Sequence, residues 1–194
     1  MAIVSGSVEP HWNYLLALER DLERLSRYVE FHEDNFGCFS VELARVLLAA
    51  GAETDVVAKQ VCRAVDPAST ADKIGQYRDV IVSHYPRLAG FTLLVPRFGL
   101  TLKPWDEWLK ANGVPFWWTA YNKTKHERHS EFKRANLKNA LNSVAGLLVM
   151  ALYLYKAKAE SGQLIPSAQL FRPEAAYFGG MEFLGHEFGT RYLL

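Results

Sequence analysis

The sequence contains little cysteine, with only Cys38 and Cys62 among its 194 residues. Two cysteines so far apart provide neither a disulfide framework nor the paired spacing of a zinc site. We interpret both as free thiols, with Cys62 buried on a helix, and expect a reducing, cytoplasmic location. The sequence also lacks a glycine-rich phosphate loop and a nucleophile elbow, so no cofactor is expected.

A long apolar run is missing as well. The most apolar window, 144–155, is about 12 residues long, whereas a helix that crosses a bilayer needs ~20 residues. This window is therefore expected to be a buried core helix, and no membrane partner is expected. Residues 1–10 have neither the basic nor the long apolar segment of a signal peptide, and they are expected to form an irregular arm.

A strong overall charge is absent too, since the net charge is only +1. The distribution is uneven: residues 1–66 contain 6 basic and 11 acidic side chains, and residues 67–194 contain 16 basic and 10 acidic. Six of the basic residues lie within 121–140, where only two are acidic. Either the acidic first part packs against the basic second part, or the basic stretch binds an anionic partner.

The length and a hydrophobic content of 49% predict a single domain with a large core, spanning 1–194. Apolar residues recur at three- and four-residue intervals, which predicts a mainly α fold, an antiparallel bundle of four to five helices. Ser40 is the expected N-cap of the second helix. The helices are predicted at about 12–31, 40–64, 71–83, 117–129 and 134–160.

Two stretches depart from the helical pattern. Residues 87–104 contain two apolar, β-prone runs around Pro96-Arg97, which predicts a small β-hairpin or extended insertion. Residues 161–194 are rich in glycine and aromatic residues. They are expected to form an irregular C-terminal tail, with short extended pieces packed on the bundle.

The densest group of polar, titratable side chains lies at 121–129. On a helix, Asn122, His126 and His129 occupy one face at positions i, i+4 and i+7, bordered by Lys125 and Arg128. Neighbouring cations favour a neutral imidazole, which can accept a proton, and they can stabilise charge on a phosphate.

His126 is therefore a candidate general base towards a ribose 2′-hydroxyl. The alternative is a partly buried, structural histidine that is hydrogen-bonded to an acid on a neighbouring helix. His126 and His129 are three residues apart, which would suit a metal, but no His-Glu-x-x-His motif or cysteine pair accompanies them. No metal is expected.

Two further polar residues are candidates for the same site. Glu53 lies on or beside the apolar stripe of the second helix, where a carboxylate needs a buried partner, which His126, Lys125 or Asn139 could supply. Asn139 is one of three asparagines at three-residue spacing near the start of the last helix. They either line a polar cleft or form a solvated face, with Asn136 as a cap. A structural role is the alternative for Glu53 as well.

Four stretches together resemble uncharacterised bacterial proteins of the HEPN superfamily. They are Phe-Ser-Val-Glu-Leu at 39–43, Glu-x-Asp-x-x-x-Lys at 53–59, Tyr-Asn-Lys-Thr-Lys-His-x-Arg at 121–128, and Ala-Asn-Leu at 135–137. That superfamily is a bundle of four or five helices, often dimeric, and many members are metal-independent endoribonucleases. The resemblance implies the same fold, RNA or a nucleotide as partner, and a homodimer formed through the late helices.

The active motif of that superfamily contains an arginine, usually followed by a polar residue, and a histidine four to six positions after the arginine. Asn122 matches the polar position and His126 the histidine, but Tyr121 stands at the arginine position. The resemblance therefore implies an RNA- or nucleotide-binding domain that is catalytically degenerate. Its binding residues would be drawn from Asn122, Lys125, Arg128, Tyr121, Glu53 and Asn139.

Two alternatives stay open. An active metal-independent endoribonuclease with His126 as general base requires His126 to be exposed, with a cation close by. A structural or interaction module without a ligand requires His126 to be buried and paired with Glu53 or Glu42. RNA binding without cleavage requires a continuous basic surface from Lys123 to Lys138.

Overall fold

The computed structural model describes residues 8–194, so most of the predicted arm at 1–10 lies outside the described residues. The chain is a mainly α-helical bundle with a small antiparallel sheet inserted, as the periodicity predicted. The helices are α1 (Pro10–Leu25), α2 (Val41–Val65), α3 (Ile74–His84), α4 (Phe116–Glu131), α5 (Leu137–Leu154) and α6 (Lys156–Glu160). The strands are β1 (Leu93–Val95), β2 (Leu100–Leu102), β3 (Arg172–Pro173), β4 (Phe178–Phe183) and β5 (Phe188–Tyr192).

The helix α5 is the centre of the bundle. It packs against α1, α2 and α4, and the apolar window from Val144 to Leu152 is buried on all sides, as is typical of a helix that is hydrophobic all round. This helix of 18 residues is long and apolar enough to cross a membrane, yet 89% of its residues are buried inside the protein. The helix is longer than its most apolar window, and it is the core helix that the sequence predicted.

The start of α2 is fixed by its predicted cap. The hydroxyl of Ser40 accepts a hydrogen bond from the backbone N–H of Leu43 at 3.1 Å. Just before this cap, the Cys38 carbonyl accepts from the N–H of Leu137 at 2.9 Å. The beginnings of α2 and α5 therefore lie side by side.

The largest differences from the predicted helix boundaries are at the ends of the first and last helices. The first helix ends at Leu25 rather than near residue 31, because the backbone turns at 26–28. The predicted last helix is divided at Tyr155, whose φ of −101° and ψ of 36° are not helical. The remaining turn is α6.

The predicted hairpin at 87–104 is confirmed. Strands β1 and β2 pair antiparallel, with Leu93 opposite Leu102, and Gly99 closes the connection with a φ of 65°, a conformation that glycine adopts at little cost. Strand β3 pairs with the other edge of β1, with Leu93 opposite Pro173.

Residues 161–194 are more regular than the expected tail. Besides β3, they form an antiparallel hairpin in which β4 pairs with β5 and Phe183 lies opposite Phe188. The segment packs on the bundle as expected, because the indole N–H of Trp12 donates to the Pro166 carbonyl at 2.9 Å.

A buried carboxylate also joins this segment to α1. Glu19, which helical spacing places among the polar residues of the first helix, is only 3% exposed. It accepts hydrogen bonds from the backbone N–H groups of Gln169, Leu170 and Phe171 at 2.9, 2.7 and 3.2 Å. Burial raises the pKa of Glu19, and this effect outweighs the three N–H groups, which lower it.

Candidate anion-binding site

The first half of α4 is anchored by aromatic side chains. Trp117 donates from its indole N–H to the Pro104 carbonyl at 2.8 Å. It belongs to a chain of tryptophans with centroid distances of 4.3 Å for Trp105–Trp108, 5.2 Å for Trp105–Trp117 and 5.7 Å for Trp117–Trp118. These buried rings fix the rotation of α4, so the opposite face of the helix points to solvent.

Tyr121, at the arginine position of the family motif, belongs to the buried face. Its side chain is 5% exposed and packs so tightly on α2 that a Cβ at Gly51 would lie 2.4 Å from its ring. The ammonium group of Lys125 lies 5.6 Å from the centre of the same ring, a cation–π contact. Tyr121 therefore supports Lys125 and supplies no charge of its own.

The helix α4 is interrupted at Glu127, whose φ of −131° and ψ of 32° are not helical. Asn122 and His126 remain one turn apart on the same helical segment. The predicted face does not continue to His129, because the helical spacing is broken between positions 126 and 129.

Basic side chains on both sides of this interruption surround a groove of about 760 Å³. A volume of this size lies within the range of ~300–1,000 Å³ that is typical of ligand sites. One side of the groove is polar and basic, and the other is apolar. The groove is lined by Lys125, His126, Arg128 and His129 and, on the apolar side, by Val41 and Phe132.

His126 is exposed, and within residues 8–194 it has no hydrogen-bonding or ionic partner. The two acids that would pair with a structural histidine are engaged elsewhere: Glu42 accepts from Arg45 at 2.8 Å, and Glu53 contacts His11. His126 is thus open to solvent between Lys125 and Arg128.

The basic residues around the groove differ in their partners. Lys123 is paired with Glu127 at 2.8 Å. Arg134 is paired with Glu131, and their hydrogen bond holds the pKa of Glu131 below its ordinary value. Among the basic residues from Lys123 to Lys138, those that are exposed and have no acidic partner within residues 8–194 are Lys125, Arg128, Lys133 and Lys138. The continuous basic surface expected from Lys123 to Lys138 is therefore interrupted by these two ion pairs, and the unpaired Lys and Arg charges that line the groove are those of Lys125 and Arg128.

Asn122 is half-buried and lies beside the groove rather than in it. It lines a cleft of about 260 Å³ together with His126 and Trp118, and another of about 320 Å³ together with Asp55 and Lys125. Asn122 and His126 are therefore brought together in the first of these clefts, but only His126 also lines the basic groove.

Glu53 does not line this groove. The prediction that Lys125, His126 or Asn139 is its partner is wrong. Its carboxylate accepts from His11 Nδ1 at 2.5 Å. Glu53 is two positions after Gly51, so it lies on nearly the opposite face of α2 from the contact with α4. It joins α2 to α1 instead.

Asn139 has a structural role at the start of α5. Its side-chain amide donates to the Arg134 carbonyl at 2.8 Å, and its backbone N–H donates to Asn136 Oδ1 at 3.0 Å. Asn136 is thus the N-cap of α5, as one of the two interpretations proposed. The third asparagine, Asn142, is buried and donates to the Lys138 carbonyl at 2.9 Å.

The apolar side of the groove was missed from the sequence. Val41, the first residue of α2, is 66% exposed, and Phe132 follows the end of α4. The sequence does contain a signal for this apolar side: helical spacing does not assign Val41 and Phe132 to a core face.

The described residues do not bring three His, Cys, Asp or Glu side chains together in a way that could hold a metal ion. Comparisons with protein families, with curated proteins and with solved structures found no match. The groove is therefore interpreted from its geometry and chemistry.

Proposed function

We propose that this chain is a HEPN-like domain that binds RNA or a nucleotide in the basic groove and is catalytically degenerate. One observation carries the proposal: Lys125, His126, Arg128 and His129 line one groove, and no carboxylate is among its described lining residues. Exposed cations without acidic partners are suited to phosphate groups, because binding releases the counterions of the nucleic acid.

The degenerate character is supported by Tyr121. A buried tyrosine held against Gly51 offers no positive charge to a scissile phosphate. Lys125 and Arg128 can hold a phosphate, but neither occupies the position of the arginine in the family motif.

The second candidate is an active metal-independent endoribonuclease, and the exposure of His126 favours it. A general base needs an accessible nitrogen that no acid occupies, and His126 has this environment within the described residues. In this candidate, His126 accepts the proton of a ribose 2′-hydroxyl, and Lys125 or Arg128 offsets the charge that develops on the phosphate.

The binding proposal is tested with a double variant, Lys125→Gln/Arg128→Gln, titrated calorimetrically with a single-stranded RNA pool in EDTA. We expect the affinity for RNA to fall about tenfold or more. The slope of the logarithm of the binding constant against the logarithm of the salt concentration should become less steep by about 1.4, as for two lost phosphate contacts. The matched control is Arg63→Gln/Lys103→Gln, which removes the same charge at two exposed sites outside the groove. Equal losses in both variants would contradict a specific groove.

The two RNA functions are separated by His126→Ala. Because His126 is exposed, the free energy of unfolding should change by less than about 0.5 kcal/mol. Binding by the wild type without cleavage in EDTA supports the degenerate domain, and cleavage that the variant loses supports the endoribonuclease. If the wild type neither binds nor cleaves, both RNA functions are rejected and the interaction module remains.

A further inference from the structure

A large aromatic side chain beside the groove is left half exposed by the fold. Phe39 is 49% exposed. Its ring meets that of Phe132 at a centroid distance of 5.5 Å and an interplanar angle of 77°. Because Phe132 lines the groove next to Arg128 and His129, the aromatic pair borders the basic side chains directly.

The backbone holds Phe39 in place. It forms an antiparallel bridge with Asn136, and its neighbour Cys38 accepts from the N–H of Leu137 at 2.9 Å. On its other side, Ser40 caps α2. The backbone that carries the ring is therefore already ordered, so little backbone freedom is lost when a ligand packs on Phe39.

A surface that places aromatic rings beside cations matches a ligand that carries aromatic groups and phosphates side by side. Unpaired nucleotides have this chemistry, because each base exposes a π-face that can stack on an aromatic side chain. Bases inside an A-form duplex are already stacked on one another, and the deep, narrow major groove keeps side chains away from them. A polyphosphate without bases would use the cations alone.

We propose that Phe39 and Phe132 form a stacking site for an unpaired base and that the ligand of the groove is single-stranded RNA. The phosphate next to the stacked base lies against Arg128 and His129. This inference rests on the proposed function, because it places the phosphates in the basic groove.

The test is the variant Phe39→Leu, which keeps an apolar side chain but removes the aromatic face. Calorimetric titration with a single-stranded RNA of about ten nucleotides should show affinity reduced about fivefold to a hundredfold, the usual effect of losing one stacked base. Binding of the same RNA annealed to its complement, of an oligonucleotide of equal length without bases, and of tripolyphosphate should not change.

The matched control is Phe183→Leu. Phe183 is also half of an exposed aromatic pair, with Phe188 at 5.0 Å, but it lies in the β4–β5 hairpin and does not line the groove. We expect this variant to bind single-stranded RNA like the wild type. Thermal melts of both variants verify that they are folded, and Phe132→Leu provides a second test of the same stacking site.

The failure of this inference is distinguishable from the failure of the proposed function. If Phe39→Leu and Phe132→Leu leave single-stranded binding unchanged while Lys125→Gln/Arg128→Gln weakens it, the stacking site is rejected and the basic groove stands. Equal loss of single-stranded and duplex binding in Phe39→Leu also rejects the stacking site. If the charge variant has no effect either, both are rejected.

Discussion

Glu19 is a carboxylate that the fold buries, and no Lys or Arg pairs with it in the described part of the chain. Three backbone N–H groups donate to its two oxygens instead. Such bonds favour the ionised form, whereas the loss of water around the carboxylate favours the protonated form. Burial is the larger effect, so the pKa of Glu19 is raised from its ordinary value of 4.5.

The raised pKa predicts how stability depends on pH. The folded protein binds the proton of Glu19 more tightly than the unfolded chain does, so this contribution is fully present below pH 4.5 and is lost as the pH rises through the pKa of the folded state. Relative to Glu19→Gln, the wild type should therefore lose free energy of unfolding as the pH rises above 4.5. Urea denaturation followed by circular dichroism at several pH values measures this difference.

The control for this prediction is Glu30→Gln, the same substitution at an exposed carboxylate. A wild type that gains stability over Glu19→Gln as the pH rises would mean that the three N–H groups, rather than burial, determine the protonation of Glu19.

At the residue scale, the sequence predicts contacts that are close along the chain and misses distant partners. Ser40 and Asn136 were recognised as caps because each bonds a backbone N–H three residues later. That Glu53 needs a partner was also predicted, but its partner was not. Both α1 and α4 flank α2, and the spacing of Glu53 does not indicate which of them carries the partner.

At the scale of helices, the position of α4 depends on a glycine. Gly51 lies inside α2, where glycine costs about 1 kcal/mol relative to alanine. The ring of Tyr121 occupies the space of the missing side chain. The close approach of α2 and α4, and with it the placement of the groove, therefore depends on a residue that is unfavourable for the helix itself.

Gly51→Ala should lower the free energy of unfolding despite the better helix propensity of alanine. The gain of about 1 kcal/mol is opposed by overpacking that typically costs about 1–3 kcal/mol. The ring of Tyr121 has little room to move, because Trp118 packs against it at 5.3 Å. Urea denaturation gives the net change.

Gly75→Ala in α3 is the matched control, because no atom lies within 4 Å of its added Cβ. This variant should be as stable as the wild type or more stable, by up to about 1 kcal/mol. Equal stabilisation by both substitutions would show that Tyr121 can yield and that Gly51 does not determine the approach of the helices.

Helical periodicity predicted the elements better than their interruptions. The core stripes of α2 and α5 follow the expected spacing, and both helices are confirmed. The break at Glu127 has no signal in the apolar pattern, because the residues around it are all polar. Strand β3 was not predicted as a strand because its partner is β1, in the hairpin that lies far earlier in the chain.

For the molecule as a whole, the C-terminal segment is part of the core. Leu164, Leu170 and Phe171 are buried, and the N–H groups at 169–171 are the partners of Glu19. Removing this segment would expose the apolar surface that it covers and leave a buried carboxylate without donors.

A chain ending at Ser161 should therefore lose its cooperative thermal transition. Three buried apolar side chains contribute about 1.5–3 kcal/mol each, and a typical domain has only about 5–15 kcal/mol of stability in total. Calorimetry of the truncated chain measures whether the cooperative transition is lost. The control is His186→Ala, at the exposed tip of the β4–β5 hairpin, which should melt like the wild type. A truncated chain with a sharp transition near that of the wild type would refute the role of the segment.

The enclosure of α5 also restricts how two copies can associate. A homodimer through the late helices remains a prediction, but α5 is almost entirely covered within one chain. Such a dimer would therefore contact the exposed residues of α4 or α6, and the exposed face of α4 also carries the groove.

The chain of tryptophans behind α4 has an optical consequence. Because neighbouring indoles lie 4.3–5.7 Å apart, excitation absorbed by one of them can pass rapidly to the others. Trp118, at one end of the chain, lines the cleft that it shares with His126 and Asn122. The intrinsic fluorescence of the unlabelled protein therefore includes a reporter in the cleft beside the basic groove, and a molecule that enters this cleft changes the light emitted.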